Sequence, residues 1–285
     1  MTIRSPVRSS EPKNKKTAVS RTVLLTGTSS GLGDAAARQF LDDGWNVVAT
    51  ARVSHSAVRG LESPNLLRAR LDVTDQSSIE AAFREAESRF GSINVVVNNA
   101  GVGLGGPLEG ISLVQLREHF EVNVIGAASV CQMAISRMRE RGHGLLINVS
   151  SAAGRVGLPF LSPYCAGKFA IEGLSESLHY ELKPFGVRVK IVEPGGVRSN
   201  FSHVWMEAQA YESFAGPVRN RMEQGQRHAA LPEVAAKTII LAANDSSDRL
   251  RYRASGAGSL LAIRRLLPDR AWRSFIGKIF SLPSN

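Results

Sequence analysis

Cysteine is scarce in this chain: Cys131 and Cys165 are the only two among 285 residues. Two cysteines make no disulfide framework, which points to a reducing compartment and so to the cytoplasm. Long apolar runs are missing too. None approaches the roughly 18 residues of a membrane span. The first twenty residues, MTIRSPVRSSEPKNKKTAVS, lack the apolar centre of a signal peptide and are expected to form a disordered basic tail. Zinc-finger spacings and basic stripes interleaved with aromatics are also absent, which argues against nucleic acid as a partner. The net charge of +10 does not reverse this. Residues 1–21 hold six Lys and Arg against one Glu, and residues 249–285 hold eight against one Asp. The basic character therefore belongs to the two ends, and the body between them is slightly acidic.

What is present alternates. RTVLLTG (21–27) reads as an apolar strand, TGTSSGLG (26–33) as a glycine-rich turn, and DAAARQFLDDG (34–44) as a helix. Glycines in such a turn let a phosphate approach the N–H groups at a helix start. WNVVATAR (45–52) is a second strand. A carboxylate at its end would suit the ribose hydroxyl of NAD; this chain has Ala51 and then Arg52, which favours the 2′-phosphate of NADP. The competing reading makes Arg52 a solvated residue. NLLRARLDVTD (65–75) is a third strand ending near Asp72, a candidate acceptor for an adenine amino group. INVVVNNAG (93–101) is apolar enough for a strand buried on both faces, with Gly101 open to a ligand. Residues 112–141 read as one long, kinked helix. Its Asn123, among apolar neighbours, either ties the backbone or orders water. GHGLLINVSS and VRVKIVEPGGV (187–197) are further strands, residues 199–230 a helical flap, and residues 232–244 a late helix. The pattern is an open, doubly wound parallel α/β sheet with helices on both faces. One domain spans residues 21–248, followed by a basic extension over 249–285.

The most informative stretch is SSAAGRVGLPFLSPYCAGK, Ser150 to Lys168. If Pro163 opens a helix, Tyr164 and Lys168, four residues apart, share one face of it. Ser151 ends the preceding strand. A lysine ammonium near a phenol favours the phenolate, and a serine hydroxyl can hold the substrate oxygen that the tyrosine protonates or deprotonates. A plain surface Tyr-Lys pair is the bland alternative. Cys165 is expected to face away from Tyr164.

With TGTSSGLG, NNAG at 98–101, Asn123, Ser151, YCAGK at 164–168 and PGGV at 194–197 in order, the chain resembles the short-chain dehydrogenase/reductase family across about residues 20–245. NNAGVGLGGPLE, SPYCAGKFAIEGLSESLHYEL and VEPGGVRSNF look most like its branch of NADP-linked reductases similar to 17β-hydroxysteroid and retinol dehydrogenases. The resemblance implies a Rossmann-like sheet of about seven parallel strands and a nicotinamide cofactor. It implies a catalytic set in which Tyr164 exchanges the proton, Ser151 orients the substrate oxygen, Lys168 tunes the tyrosine and bonds the ribose, and Asn123 holds a water. It also implies a cofactor site built from Gly27, Ser29, Ser30, Gly31, Leu32, Gly33, Arg52, Asp72, Val73, Asn99, Ala100, Gly101, Tyr164, Lys168, Pro194, Gly195, Val197 and Ser199. Ser199 stands where threonine is common and keeps the hydroxyl. No metal is expected.

The resulting expectation is an NADP(H)-dependent oxidoreductase interconverting a carbonyl and an alcohol. A non-catalytic NADP(H)-binding sensor or scaffold is the alternative, against which the full Ser-Tyr-Lys-Asn set argues. Epimerases and dehydratases of this kind usually carry longer substrate domains. Val102–Leu108, Val156–Leu161 and the flap from Phe201 to Met222, mostly apolar (Leu104, Leu158, Phe160, Leu161, Trp205, Phe214), are expected to wall a pocket for a bulky apolar ketone or alcohol. A homodimer or homotetramer is expected. Beyond Pro268, Trp272, Phe275, Ile276, Ile279 and Phe280 fall on one helical face, with basic residues elsewhere. That face suits either peripheral contact with an anionic membrane or packing on the protein's own core, and packing is favoured.

Overall fold

The computed structural model describes residues 21–199, 201 and 203–283; the expected tail over residues 1–20 lies outside the described residues. Strand β1 (Thr22–Leu25) is buried along its length. Val23 and Leu25 enter one core layer and Leu24 the other, the alternation a pleated strand imposes. The chain continues through β2 (Asn46–Ala51), β3 (Leu66–Arg70), β4 (Val95–Asn98), the short β5 (Gly103–Gly105), β6 (Gly144–Val149), β7 (Val187–Pro194), the short β8 (His203–Trp205) and β9 (Arg251–Ala254). Seven of these make one parallel sheet in the order β3-β2-β1-β4-β6-β7-β9.

The helices are α1 (Gly31–Asp42), α2 (Gln76–Phe90), α3 (Leu113–Phe120), α4 (Ala127–Arg141), α5 (Ser162–Leu182), α6 (Glu212–Arg227), α7 (Pro232–Asn244), α8 (Ala257–Leu266) and α9 (Asp269–Ile279). Ala36 and Phe40 of α1 and Ala235 and Ile239 of α7 cover one face of the sheet. Ile79 and Phe83 of α2 and Val130 and Ala134 of α4 cover the other. This is the doubly wound Rossmann-like fold expected from the sequence. Strand order reverses between β1 and β4, which opens a crevice at the carboxyl ends of the strands.

Three expectations change. The helix expected over 112–141 is α3 and α4 joined by a π-helical turn, Glu121–Gly126, with Asn123 inside it; the kink is that turn, a common device at functional sites. The strand read in VRVKIVEPGGV leaves the sheet at Pro194, as expected, since proline cannot extend the ladder further. The stretch after Val102, expected as a loop, contains β5, which pairs in parallel with β8 of the expected helical flap. Glycine-rich and three residues long, β5 and β8 carry no period to read. Finally, the sheet runs past residue 248. In β9, Tyr252 and Ala254 enter the core while Arg253 points outward, a pattern too short and too basic to be seen in advance.

The C-terminal helices pack on the protein itself. Trp272 and Ile276 of α9 are buried against Val156 and Leu261, with Phe275 and Phe280 partly buried beside them. The burial of Trp272 and Ile276 supports packing on the protein's own core, while Phe275, Ile279 and Phe280 of the same face stay partly exposed. No helix among the described residues is long and apolar enough to cross one.

Candidate active site

The crevice begins where β1 ends. Thr26 is buried, and its Oγ1 accepts hydrogen bonds from the backbone N–H of Asn99 and of Ala100, both at 3.0 Å. The Asn99 side-chain amide donates back to the Thr26 and Gly27 carbonyls at 3.0 and 3.1 Å. These bonds stitch the first turn to the end of β4. Gly27 has φ of +72°, and a Cβ there would lie 2.8 Å from Ala100 Cα; only glycine gives both the turn and the approach. Ser30, the residue before α1, makes no side-chain cap, so the N–H groups of the first turn of α1 are left for another acceptor.

Beneath β4 and β6 runs a buried amide chain. Asn98 Nδ2 donates to Asn148 Oδ1 at 2.9 Å, and Asn148 Nδ2 to Ser175 Oγ of α5 at 2.8 Å. Cys131 packs into this chain, its thiol pushed up to about 12 by burial. Burial also raises Cys165, whose sulfur accepts from the Leu158 N–H. Neither cysteine is poised to react.

The other wall comes from β6 and α5. Ser151 follows β6, and its Oγ accepts from Ala153 N–H at 3.1 Å. Pro163 sits in the first turn of α5, as expected, and places Tyr164 and Lys168 on the face toward the crevice. Lys168 Nζ donates to the Val149 carbonyl at 2.9 Å and lies 5.9 Å from the centre of the Tyr164 ring. Burial pushes the Tyr164 phenol up to about 12, against a hydrogen bond from Ser151 that pulls it down. Burial also pulls Lys168 down to about 8, and the Glu172 carboxylate opposes this. The expectation that the ammonium would lower the phenol is therefore corrected for the protein alone. Desolvation of the phenol dominates, and the lysine's proton is turned toward a backbone carbonyl.

Every expected cofactor residue lines one cavity of about 590 Å³, as do Ser151, Tyr164 and Lys168. Asn123 does not. Its Oδ1 accepts from Val102 N–H at 3.1 Å, and its Nδ2 donates to the Val102 and His119 carbonyls at 3.0 and 2.9 Å. Of the two roles expected for Asn123, tying the backbone is the one seen. A Cβ at Gly101 would fall 2.7 Å from Asn123 Oδ1, so this glycine, which also lines the cavity, makes room for the asparagine.

Two of the three expected wall segments reach this cavity: Val102 and Gly103 of the first and Phe201 and Val204 of the flap line it. Leu104, Leu158, Phe160, Leu161, Trp205 and Phe214 are not among its lining residues. Phe160 packs its ring 6.0 Å from Trp205 and 5.8 Å from Phe214.

Two histidines were missed by sequence reasoning. His203 meets the Tyr164 ring edge-on at 4.9 Å, and His119 approaches it at 6.4 Å. Burial pulls His203 down to about 4 and lowers His119 as well, so both are neutral near pH 7. His119 stands four residues before Asn123 on the same helical face, and that spacing was the available signal. For His203 there was none, since β8 is positioned only by pairing with β5.

The crevice suits a dinucleotide. It is elongated along the strand ends, it offers the uncapped start of α1 to a phosphate, and it carries Arg52 and Asp72 past β2 and β3. Comparison with known proteins agrees. The family model described as short chain dehydrogenase matches residues 21–210. An uncharacterized oxidoreductase of Schizosaccharomyces pombe is 41% identical over 64% of this chain, which spans 62% of that relative. The Bacillus subtilis oxidoreductase YusZ is 35% identical over 93% of this chain and 98% of its own length. Bovine retinol dehydrogenase 8 is 37% identical over 69% of this chain and 65% of its own. A crystal structure of a short-chain dehydrogenase from Streptomyces avermitilis superposes with a TM-score of 0.76 at 34% identity, covering 90% of this chain and 97% of that one. The same fold, at 22% identity, is seen with NAD in a protein of Burkholderia phymatum (TM-score 0.74, 87% of this chain, 92% of that one) and with NADP in one of Burkholderia cenocepacia (0.71, 93% and 98%). The chain belongs to the short chain dehydrogenase family and is an NAD(P)-dependent dehydrogenase/reductase.

Proposed function

We propose that this protein is an NADP(H)-preferring oxidoreductase that interconverts a bulky apolar ketone or aldehyde with its alcohol. The observation that carries the reading is the convergence of Ser151, Tyr164 and Lys168 on the same cavity as the turn after β1. Bound there, the nicotinamide supplies or accepts the hydride. Tyr164 supplies the proton. Its phenol, held up to about 12, is protonated near neutrality and suited to the reductive direction. Ser151 orients the substrate oxygen. Lys168 holds the end of β6 and would bond the ribose of a bound cofactor, and Asn123 serves by fixing Val102.

The preference for NADP rests on Arg52, exposed in the cavity past Ala51 with no carboxylate at the end of β2. The apolar substrate rests on Val102, Phe201 and Val204 at the mouth. Free, buried Cys131 and Cys165 fit a cytoplasmic protein. Exposed Ile125, Phe169 and Tyr180 on the α3–α4 turn and the outer side of α5 fit a homodimer or homotetramer. The test is turnover of a panel of ketones, aldehydes and alcohols with NADPH, NADH and their oxidised forms, followed by nicotinamide absorbance. Large apolar carbonyls reduced faster with NADPH are expected. Tight NADPH binding with no turnover of any substrate would instead favour a sensor or scaffold.

A further inference from the structure

Behind the crevice lies an ionic cluster that catalysis as described does not use. Glu193 on β7 is fully buried, and Glu172 on α5 is 5% exposed. Arg155 follows the short turn that Ser151 caps, and its Nη1 lies 3.1 Å from Glu193 and 3.9 Å from Glu172. Arg251 on β9 puts Nε 3.0 Å from Glu172 and 3.6 Å from Glu193, and Nη2 2.5 Å from Glu176. Arg253 lies 3.7 Å from Glu193. Three arginines thus face three glutamates, and they tie together the segment after Ser151, the helix of Tyr164 and Lys168, β7 and the late strand β9.

Stability alone is a poor reason for such a cluster. Two buried carboxylates cost desolvation and repel each other, and apolar side chains of similar volume commonly serve as well. Place is a better reason. Glu172 stands four residues after Lys168, one turn along the same helix. Lys168 is itself buried, with the Val149 carbonyl as its hydrogen-bond acceptor, and a carbonyl offers no compensating charge. The Glu172 carboxylate favours the ammonium against burial. Glu172 in turn is pushed up by burial and by Glu193, and pulled back by Ser150 and, to a smaller extent, by Arg251. The other titratable groups facing Lys168 are Tyr164 on its own helix and His119 on α3, which Lys168 disfavours as a cation.

We propose that Glu172 is a positioning residue that compensates the buried charge of Lys168, and that Arg251 of β9 holds Glu172 in that task. The C-terminal segment is on this view a working part of the active site, reaching it through one arginine. The idea rests on the proposed role of Lys168, so its test has a readout independent of turnover. In cofactor-free protein carrying isotope-labelled lysine, the Lys168 side-chain resonance, assigned with Lys168→Arg, is followed against pH. In Glu172→Gln its midpoint is expected to fall by about one pH unit, and in Glu172→Asp to return most of the way. Arg251→Met is expected to shift it in the same direction by less. In turnover, Glu172→Gln moves the basic limb of the kcat/KM profile to lower pH. An unmoved Lys168 midpoint in a folded Glu172→Gln would overturn the proposal, whatever the activity. If Glu172→Gln does not fold, Arg251→Met with an unmoved midpoint does the same. Loss of the functional reading shows separately, as full activity in Tyr164→Phe.

Discussion

Tyr164 concentrates the chemistry in one hydroxyl. Tyr164→Phe removes the proton and little volume, so kcat is expected to fall by about 10²–10⁴-fold while NADPH binding, read by fluorescence, stays near that of the parent. Near-parental kcat would remove Tyr164 from the reaction. Arg52 is the matching residue for cofactor choice. Losing one charged contact to a 2′-phosphate is worth about 1.5–3 kcal/mol, so Arg52→Ala is expected to cut the ratio of NADPH to NADH affinity by at least about tenfold. An unchanged ratio would assign the preference elsewhere. Both residues were legible in the sequence because their meaning depends on near neighbours: a proline and a lysine for Tyr164, the end of an apolar run for Arg52. His203 was not legible, because nothing within ten residues of it announces that it will meet the tyrosine ring.

Among the elements, the π-helical turn between α3 and α4 is the most exposed to test. Asn123 fills that turn and satisfies Val102 and His119 with three hydrogen bonds. Asn123→Ala takes these partners from the Val102 N–H and from the Val102 and His119 carbonyls, a cost of about 1–3 kcal/mol for each group that water does not reach. A clear drop in melting temperature is expected, with kcat falling as Val102 loosens; unchanged stability would mean that water replaces the amide. Helix α9 gives a second case. Trp272 is 7% exposed against Val156 and Leu261, and Trp272→Ala is expected to cost about 3–5 kcal/mol, measured by denaturant unfolding. Periodicity revealed the apolar face of α9 but not what it would cover, since Val156 lies more than a hundred residues away. The same holds for β5 and β8, whose pairing is invisible in either segment alone.

At the scale of the whole molecule, the strands of the main sheet up to β7 and most of the helices between them follow from alternating apolar runs and glycine turns, and so does the edge on which the site lies. The closing of the sheet by β9 does not, because that strand is four residues long, with an arginine on either side of its buried Tyr252. Its hydroxyl donates to Asp245 at 2.6 Å, and Ser247 donates its N–H and hydroxyl to the same carboxylate at 2.7 and 2.9 Å. These bonds, that of Tyr252 first, hold the Asp245 carboxyl well below the usual carboxylate range. A carboxyl depressed in the folded state stabilises above its unfolded pKa of about 4 and withdraws that help as pH falls below it. The melting temperature is expected to decline below about pH 4, and Asp245→Asn to flatten that decline; an identical acid limb in the variant would reject the assignment. The β5–β8 ladder has a consequence for engineering. It joins the segment after the cofactor edge to the start of the flap, Gly103 opposite His203 and Gly105 opposite Trp205. Residues 201–230 grafted alone from a relative would arrive with half of a two-part joint. Specificity in this scaffold should transfer only when residues 102–108 travel with them.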